Sequence, residues 1–302
     1  MTIRRLAAIG ECMLEFSEIS AEQYHLSFAG DTYNTAVYFQ RCSADTPLKV
    51  DYVTALGDDE YSQKILQSCV REKIGVDYIR QIANQVPGLY LINVDQSGER
   101  HFYYYRALSP ARNMFAGEKG DELCQSLLKF DAIYFSGITL AVLLPESRQK
   151  FLNLVVLAKK QQKLICFDGN YRPRLWPDVK TAQTTINAVM HHVHIAMPSF
   201  EDEHLLFGDS SPAKTADRLL NCGVSEVVVK CDAKGYLLAN PKRQQWVGIH
   251  PVKPVDTTGA GDSFNGAYLA KRFMQETPEA AAAYAAALAA QVIQHRGAII
   301  GQ

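Results

Sequence analysis

The sequence of 302 residues predicts an α/β fold with a mainly parallel sheet and helices on both faces. Apolar runs of strand length alternate with helical segments along most of the chain. One hairpin-like segment interrupts this alternation after two βα units, where a parallel sheet has no use for it. With 47% hydrophobic residues, a chain of this length can form one large domain with a small appendage.

The first half of the chain predicts two βα units and a projecting lid. The run at 6–18 indicates a strand broken at Gly10, and its second part alternates like a half-buried ribbon. β-rich runs on both sides of "DQSG" (95–98) predict a hairpin. We therefore expect a small antiparallel lid sheet, with strands at roughly 11–29 and 87–107, on a single domain spanning 1–302. The remaining elements are a glycine turn and helix at 27–42, a strand at 48–57 and a helix at 59–75.

The second half returns to regular alternation of strands and helices. Strands are predicted at 131–137, 163–170, 194–199 and 226–231, and helices near 146–160, 182–191 and 213–222. A late hairpin is predicted at 235–250, followed by a helix from Ala260 and an alanine-rich helix at 278–294.

Composition excludes several classes of partner. The net charge is −1, which gives no electrostatic reason to expect nucleic acid or a membrane surface. Glu11 and Glu15 interrupt the first apolar run too early for a signal peptide, and no segment approaches a membrane span. The seven cysteines are scattered without a C-x-x-C pair, as is typical of reduced thiols. We expect a soluble cytoplasmic protein.

The stretch "DTTGAGDSF" (256–264) carries the strongest chemical signal. Gly259 and Gly261 let backbone N–H groups converge, and the helix that follows adds its positive end, so the turn can hold an anion. Asp262 can either cap this helix or accept a proton, and spacing alone favours capping. The chain has no Walker A motif, and "GECMLE" lacks G-x-G-x-x-G, which argues against a P-loop kinase and a dinucleotide oxidoreductase.

Together with "AGDTYN" (29–34) and the βαβ body, this stretch resembles the ribokinase-like (PfkB) family of carbohydrate kinases over essentially the whole chain. The resemblance implies a three-layer α/β/α fold and an ATP-dependent kinase with Mg²⁺ at the phosphates. It implies that Asp262 is the catalytic base and that the N–H groups of Gly259, Ala260 and Gly261 hold the transferring phosphoryl group.

Further stretches are similar to 2-keto-3-deoxygluconate kinases, among them "GECMLEFSE", "VPGLYLINVDQSGERHFYYYR" and "GNYRPRLW". Such a substrate carries a carboxylate, which the planar fork of arginine binds with two hydrogen bonds. Arg106 ends the "YYYR" run and Arg172 follows the strand "LICFD", so both are candidates for that role rather than surface charges.

The other predicted sugar ligands come from the glycine turn and the hairpin. The resemblance assigns substrate binding to Gly30, Asp31 and Asn34, which otherwise only begin a helix. Tyr90 and Tyr104 are expected on the sugar side of the lid. A shift of one residue in register would bring Tyr103 and Tyr105 there in place of Tyr104.

For the nucleotide and ions, the resemblance supplies candidates that have ordinary structural alternatives. It implies ATP contacts from Asn170, Lys230, Asp232 and Gly235, besides Gly259 and Gly261, although sequence alone favours a hairpin turn for "KCDAKG". Asp256 is implied beside a monovalent cation such as K⁺. Many relatives carry N-x-x-E where this chain has "SFED" (199–202), so Asp202 is expected to reach Mg²⁺ through water. "HHVH" (191–194) has no completing acid or cysteine, and surface histidines are favoured there over a metal site.

We therefore expect a kinase that converts 2-keto-3-deoxygluconate to 2-keto-3-deoxy-6-phosphogluconate. The alternatives are a kinase for a neutral sugar such as fructose or ribose, and a non-catalytic sensor of a sugar acid or nucleotide. The choice between gluconate and galactonate epimers stays open, as does the oligomeric state, although lid sheets of this kind often pair between subunits in relatives.

Overall fold

The computed structural model describes residues 3–20, 22–94 and 100–301. The strands are β1 (Arg5–Ile9), β2 (Met13–Ser20), β3 (Gln23–Ala29), β4 (Lys49–Leu56), β5 (Ile79–Gln81), β6 (Leu89–Val94), β7 (Arg100–Tyr105), β8 (Ala132–Ser136), β9 (Leu164–Asp168), β10 (Ile195–Ala196), β11 (Glu226–Lys230), β12 (Tyr236–Asn240) and β13 (Arg243–Val247). The predicted hairpin turn at 95–98 lies outside the described residues.

The helices follow the same alternation. They are α1 (Asp31–Cys42), α2 (Glu60–Arg71), α3 (Gly117–Leu127), α4 (Gly137–Val142), α5 (Pro145–Lys160), α6 (Val179–Met190), α7 (Phe200–Phe207), α8 (Pro212–Asn221), α9 (Ala260–Phe273) and α10 (Pro278–Val292). Among the described helices, none is long and apolar enough to cross a membrane.

The main sheet has the order β13-β12-β11-β10-β9-β8-β1-β4-β5. The strands from β11 through β5 pair in parallel, and the late hairpin adds β12 and β13 antiparallel at one edge. The α/β prediction is confirmed. The strand predicted at 194–199 is regular only over Ile195–Ala196, with an isolated bridge from Ser199 to Lys230, and β5, α3, α4 and α7 were not predicted.

Helices cover both faces of this sheet, as its doubly apolar strands require. One core contains Leu127 of α3, Phe151 of α5 and Ile186 of α6. The other contains Val37 of α1, Ile65 of α2 and the apolar faces of α9 and α10. Neighbouring residues of β8 alternate between the two cores. The chain therefore forms three layers, and the carboxyl ends of the parallel strands share one edge.

A second sheet, here called the lid sheet, has the order β3-β2-β6-β7. Its strands lie inside the ranges 11–29 and 87–107. We predicted an antiparallel lid sheet. Its two hairpins are antiparallel, but β2 and β6 pair in parallel, so that prediction is wrong for the central pair of strands. Tyr90 lies opposite Tyr104, which confirms the predicted register.

Helices α1 and α9 pack unusually closely because Gly266 has no side chain. A Cβ atom there would lie 2.5 Å from the carbonyl oxygen of Thr35 and 2.8 Å from the backbone nitrogen of Phe39. Both distances are too short for real contacts, and both partners are backbone atoms that cannot rotate away. The two helices therefore depend on glycine at this position.

Replacing Gly266 with alanine should destabilise the protein by about 1–3 kcal/mol, because the methyl group forces the two helices apart. Alanine otherwise favours a helix by about 1 kcal/mol over glycine, so a net loss can only come from crowding. Urea denaturation measures the difference.

Gly248→Ala is the matched control, since no heavy atom lies within 4 Å of a Cβ built at that position. It should leave the free energy of unfolding nearly unchanged. A Gly266→Ala variant as stable as this control would contradict the proposed tight helix contact.

Candidate active site

A cluster of polar side chains lies at the carboxyl edge of the main sheet. Asp168 ends β9 and Lys230 ends β11, and the Lys230 Nζ atom donates to Asp168 Oδ2 over 3.0 Å. The buried Asn265 of α9 donates to the same oxygen over 2.6 Å and accepts from Lys230 over 3.0 Å. This edge is where parallel α/β sheets bind ligands.

The glycine turn before α9 lies against this cluster. Gly259 adopts φ of 75°, and a Cβ atom there would lie 2.7 Å from the Ala298 carbonyl oxygen. A Cβ atom on Gly261 would lie 3.5 Å from Lys230 Nζ, so the ammonium group lies just beside the start of the helix. The Ala260 N–H donates to the Thr257 carbonyl oxygen over 3.2 Å. The next amides begin the helix and lack the usual acceptor four residues earlier, which suits an anion.

Asp256 ties this turn to the C-terminal segment. Its buried carboxylate accepts the N–H of Thr258 over 2.9 Å and the N–H of Gly297 over 2.6 Å. Charge-assisted bonds of this kind hold a loop firmly. Asp256 therefore shapes the turn, and its predicted role beside a monovalent cation stays a prediction.

Asp262 does not use its side chain to cap α9. Its carboxylate accepts a hydrogen bond from Asn34 Nδ2 over 2.8 Å, and its carbonyl oxygen accepts from Thr35 Oγ1 over 3.2 Å. The capping alternative favoured by spacing alone is thus wrong. The contact brings together the two motifs on which the family resemblance depends, one near each end of the chain.

The surroundings of Asp262 raise its affinity for a proton. Burial is the largest cause and the carboxylate of Asp31 the next, with Asp168 adding to them, and together they raise the pKa of Asp262 to about 7 although Asn34 and Lys230 oppose the shift. The effect is typical of carboxylates that share one site. A carboxylate with a pKa near the working pH is suited to accept a proton.

Asp31 and Asn170 form the opposite wall. Asn170 Nδ2 donates to Asp31 Oδ2 over 2.8 Å, and burial raises the pKa of Asp31. Asn170 was predicted on the nucleotide side, but it lies with Asp31, which was predicted on the sugar side. Gly30 precedes α1, where a Cβ atom would lie 2.1 Å from the Glu11 carbonyl oxygen. Its lack of a side chain lets Asp31 approach the lid sheet.

The lid sheet turns two aromatic rings to one side. The rings of Tyr90 and Tyr104 lie 5.3 Å apart, and the Tyr90 hydroxyl donates to the buried Glu15. Tyr103 and Tyr105 alternate with Tyr104 along β7 and project from the other face, and the three rings are 53%, 63% and 51% exposed, respectively. The alternation that selected Tyr90 and Tyr104 over Tyr103 and Tyr105 is therefore present in the structure.

The positive charges of both predicted arginines, Arg106 and Arg172, affect the pKa of the Tyr104 hydroxyl. Burial raises the pKa of Tyr104, whereas the positive charges of Arg106 and Arg172 lower it. Arg106 forms an ion pair with the buried Glu11. Arg172 is half exposed and its Nη1 atom donates to both carboxylate oxygens of Asp202 over 3.2 Å. Arg106 Cζ lies 5.7 Å from the centre of the Tyr104 ring, and Arg172 lies near enough for its charge to lower the pKa of Tyr104.

The turn between β11 and β12 holds the predicted nucleotide residues. Asp232 begins a short 3₁₀ helix over Asp232–Lys234. Gly235 adopts φ of 118°, and a Cβ atom there would lie 2.1 Å from the Val247 carbonyl oxygen. Glycine at 235 is therefore required by the hairpin itself. The contact with ATP stays a prediction.

The polar side chains of this region suit a divalent ion that binds together with the phosphates of ATP. They suit an ion held by the protein alone less well. Asp202 is paired with Arg172, and its N–H donates to Ser199 Oγ over 3.2 Å. In the described ranges no group of three or more His, Cys, Asp or Glu side chains could hold a metal ion. Mg²⁺ commonly binds through substrate phosphates and waters.

One histidine of "HHVH" has a structural role. His194 accepts the N–H of Ile165 over 3.0 Å at the start of β9.

Sequence reasoning missed three acids of this region. Asp168 ends an apolar strand, and the rule that ligands lie at strand carboxyl ends could have identified it. Glu11 and Glu15 were considered only as interruptions of an apolar run. Their partners, Arg106 and Tyr90, are far away in sequence, so only the fold reveals them.

Known proteins resemble this chain over its full length. The model of the pfkB family carbohydrate kinases matches residues 3–302. The 2-dehydro-3-deoxygluconokinase of Escherichia coli K12 is 39% identical over 301 residues, which cover 98% of this chain and 97% of that protein. The 2-dehydro-3-deoxygluconokinase of Dickeya dadantii is 38% identical over 304 residues, covering 99% and 98%.

Solved structures agree on the fold. The 2-dehydro-3-deoxygluconokinase of Thermotoga maritima superposes with a TM-score of 0.86 at 20% identity, covering 98% of this chain and 96% of that one. A fructokinase of Vibrio cholerae O395, solved with fructose, ADP and a calcium ion, superposes with a TM-score of 0.85 at 22% identity, covering 99% and 95%.

Replacing Asp262 with asparagine should raise the melting temperature at pH 8. Folding raises the pKa of this carboxyl from 3.8 to about 7, so the folded state binds a proton more tightly than the unfolded chain. The wild-type protein therefore loses stability as the pH rises through this interval, whereas the neutral amide does not. The difference between the two proteins should vanish below about pH 4.

Asp178→Asn is a suitable control, because the Thr181 N–H lowers the pKa of this exposed helix cap. Removing its charge should not stabilise the protein at pH 8. Melting curves from pH 4 to pH 9 measure both variants, and an Asp262→Asn protein less stable than wild type at pH 8 would contradict the shift.

Proposed function

The chain belongs to the pfkB family of carbohydrate kinases, and from that premise we propose that it transfers the γ-phosphate of ATP to the terminal hydroxyl of 2-keto-3-deoxygluconate. The observation that carries the proposal is the combination of Asp262 beside the glycine turn with two arginines, Arg106 and Arg172, around Tyr104. The first feature serves phosphoryl transfer, and the second suits a substrate with a carboxylate.

In the proposed reaction, Asp262 accepts the proton of the attacking hydroxyl as its bond to phosphorus forms. Asn34 holds the carboxylate in place, and the first amides of α9, with Lys230 beside them, stabilise the charge that develops on the phosphoryl oxygens. Mg²⁺, when bound, neutralises charge on the phosphates of ATP. Closure of the lid sheet over the sugar would exclude water and limit hydrolysis of ATP.

The sugar side follows from the same geometry. Asp31 and Asn34 flank the position of the reacting hydroxyl, and Tyr90 and Tyr104 present their faces to the carbon chain. We assign the carboxylate to Arg106 and Arg172. A kinase for fructose or ribose has no need of these two cations, and a non-catalytic sensor has no need of a base with a raised pKa.

We also propose the finer assignments of ions, compartment and assembly. K⁺ is the proposed monovalent cation near Asp256. A cytoplasmic location is supported by the seven cysteines, all within the described ranges and all free thiols.

A homodimer through the lid sheet is supported by its outer face, where Tyr103 and Tyr105 are more than half exposed and Leu91 lies opposite Tyr103. Sedimentation at several concentrations would measure this association.

A coupled assay of ATP consumption tests the reaction directly. With a panel of sugar acids and neutral sugars, wild-type protein should turn over 2-keto-3-deoxygluconate with the highest kcat/KM. Asp262→Asn should lower kcat by about 100-fold or more, because the base is lost, while ATP binding measured by calorimetry is unchanged. In wild type, kcat/KM should rise with pH through about 7, since the base must be ionised. Near-normal turnover by Asp262→Asn would contradict the assignment of the base.

Arg106→Ala should raise KM for the sugar acid by about tenfold or more, because a charged hydrogen-bonding partner of the carboxylate is lost. KM for ATP should not change. Any residual activity on fructose should be unaffected, since fructose has no carboxylate.

Arg71→Ala, at an exposed position on α2, controls for the loss of a positive charge. Its KM values should equal those of the wild type. An equal rise in KM for acid and neutral sugars in Arg106→Ala would indicate a structural role for Arg106 instead.

A further inference from the structure

Glu11 lies where the chain first leaves the main body for the lid sheet, between β1 and β2. Its side chain is 1% exposed and forms an ion pair with Arg106, whose side chain is 11% exposed. Arg106 directly follows β7, where the chain returns from the lid sheet for the last time. The ion pair therefore joins the first and the last crossing between body and lid.

The other two crossings pack against the same residue. Gly30 follows β3, and a Cβ atom there would lie 2.1 Å from the Glu11 carbonyl oxygen. Gly88 precedes β6, and a Cβ atom there would lie 3.1 Å from Glu11 Oε1 and 3.1 Å from Arg106 Cβ. All four crossings therefore meet at Glu11, and little space remains for its carboxylate or for the Arg106 stem to move.

The hydrogen bonding of the pair is incomplete on both sides. Arg106 Nη2 donates to Glu11 Oε2, whereas Arg106 Nε and Glu11 Oε1 are buried without a hydrogen-bond partner in the described part of the chain. Nη1 is not among the buried unpaired atoms and forms no hydrogen bond with a described residue. Since a guanidinium group carries five N–H donors, it can serve a second carboxylate through Nη1.

We propose that Glu11 is a positioning residue that holds Arg106 with Nη1 directed at the carboxylate of the substrate. The inference rests on the proposed function, because it assumes an acidic sugar. Glu11 does not touch the substrate. It neutralises a nearly buried cation before the substrate arrives and removes the freedom that a long arginine side chain would otherwise lose on binding. Selectivity for acids thus depends on a carboxylate of the protein itself.

Two substitutions separate position from charge. Glu11→Asp keeps the charge but withdraws the carboxylate by one methylene, and Glu11→Gln keeps the length but removes the charge. Each should raise KM for 2-keto-3-deoxygluconate by about tenfold, while kcat and KM for ATP stay close to wild type. Calorimetric titration with the sugar acid alone should show the same weakening without turnover.

The double variant Glu11→Gln with Arg106→Ala tests whether the effect acts through Arg106. Its KM should be no higher than that of Arg106→Ala alone, because the two residues act as one unit. Glu226→Gln is the matched control, since Glu226 pairs with Arg272 over 2.7 Å at the opposite end of β11. It should lower the melting temperature and leave every KM unchanged.

Three results would overturn the inference and leave the proposed function intact. The first is an unchanged KM for the sugar acid in both Glu11 variants, and the second is a lowered KM in either of them. The third is a KM in the double variant that exceeds that of Arg106→Ala alone. A wild-type protein that ignores the sugar acid and phosphorylates a neutral sugar would overturn the proposed function and this inference together. If the Glu11 variants do not fold, Gly88→Ala crowds the same ion pair without removing a charge. It should raise KM for the acid alone, and a wild-type KM there would overturn the inference.

Discussion

Helices α1 and α9 come from opposite ends of the chain and meet where Gly266 lets their backbones touch. One turn before Gly266, Asp262 projects toward α1 and accepts the amide of Asn34, 228 positions away in sequence. The two motifs near the ends of the chain therefore become one site only because this helix contact is close. Thr35 strengthens the same contact by donating to the Asp262 carbonyl oxygen.

The chemistry of the site follows from the crowding of acids at one edge of the sheet. The carboxylates of Asp31 and Asp168 both raise the pKa of Asp262, and the ammonium group of Lys230 bonds to Asp168. Asp262 has no cation bonded to it in the described residues, and burial, followed by the carboxylate of Asp31, raises its pKa to about 7. The arrangement weakens the fold near neutral pH and, in the proposed reaction, supplies the proton acceptor. Local instability of this kind is common where residues serve function rather than stability.

Much of this could be predicted from sequence, because the signals are local. Alternating strands and helices predict the three layers, and alternation within the hairpin places Tyr90 with Tyr104. The glycines of the turn predict its shape, which Gly259 confirms by its positive φ.

Other features depend on contacts between distant segments. The pairing of Arg172 with Asp202, and that of Asn170 with Asp31, join residues that were assigned separate tasks. Spacing alone favoured a capping role for Asp262, because capping rules consider one helix in isolation. In the folded protein, Asn34 of α1 bonds the Asp262 carboxylate instead. Glu11 has no local signal at all, since its importance comes from four chain crossings that meet only in the folded protein.

The most direct test of this account is a crystal structure with a non-hydrolysable ATP analogue and the sugar acid bound together. The terminal phosphate should lie against the first amides of α9, with the sugar hydroxyl within hydrogen-bonding distance of the Asp262 carboxylate. A terminal phosphate bound away from Gly259–Gly261, or a sugar whose hydroxyl faces another residue, would contradict it.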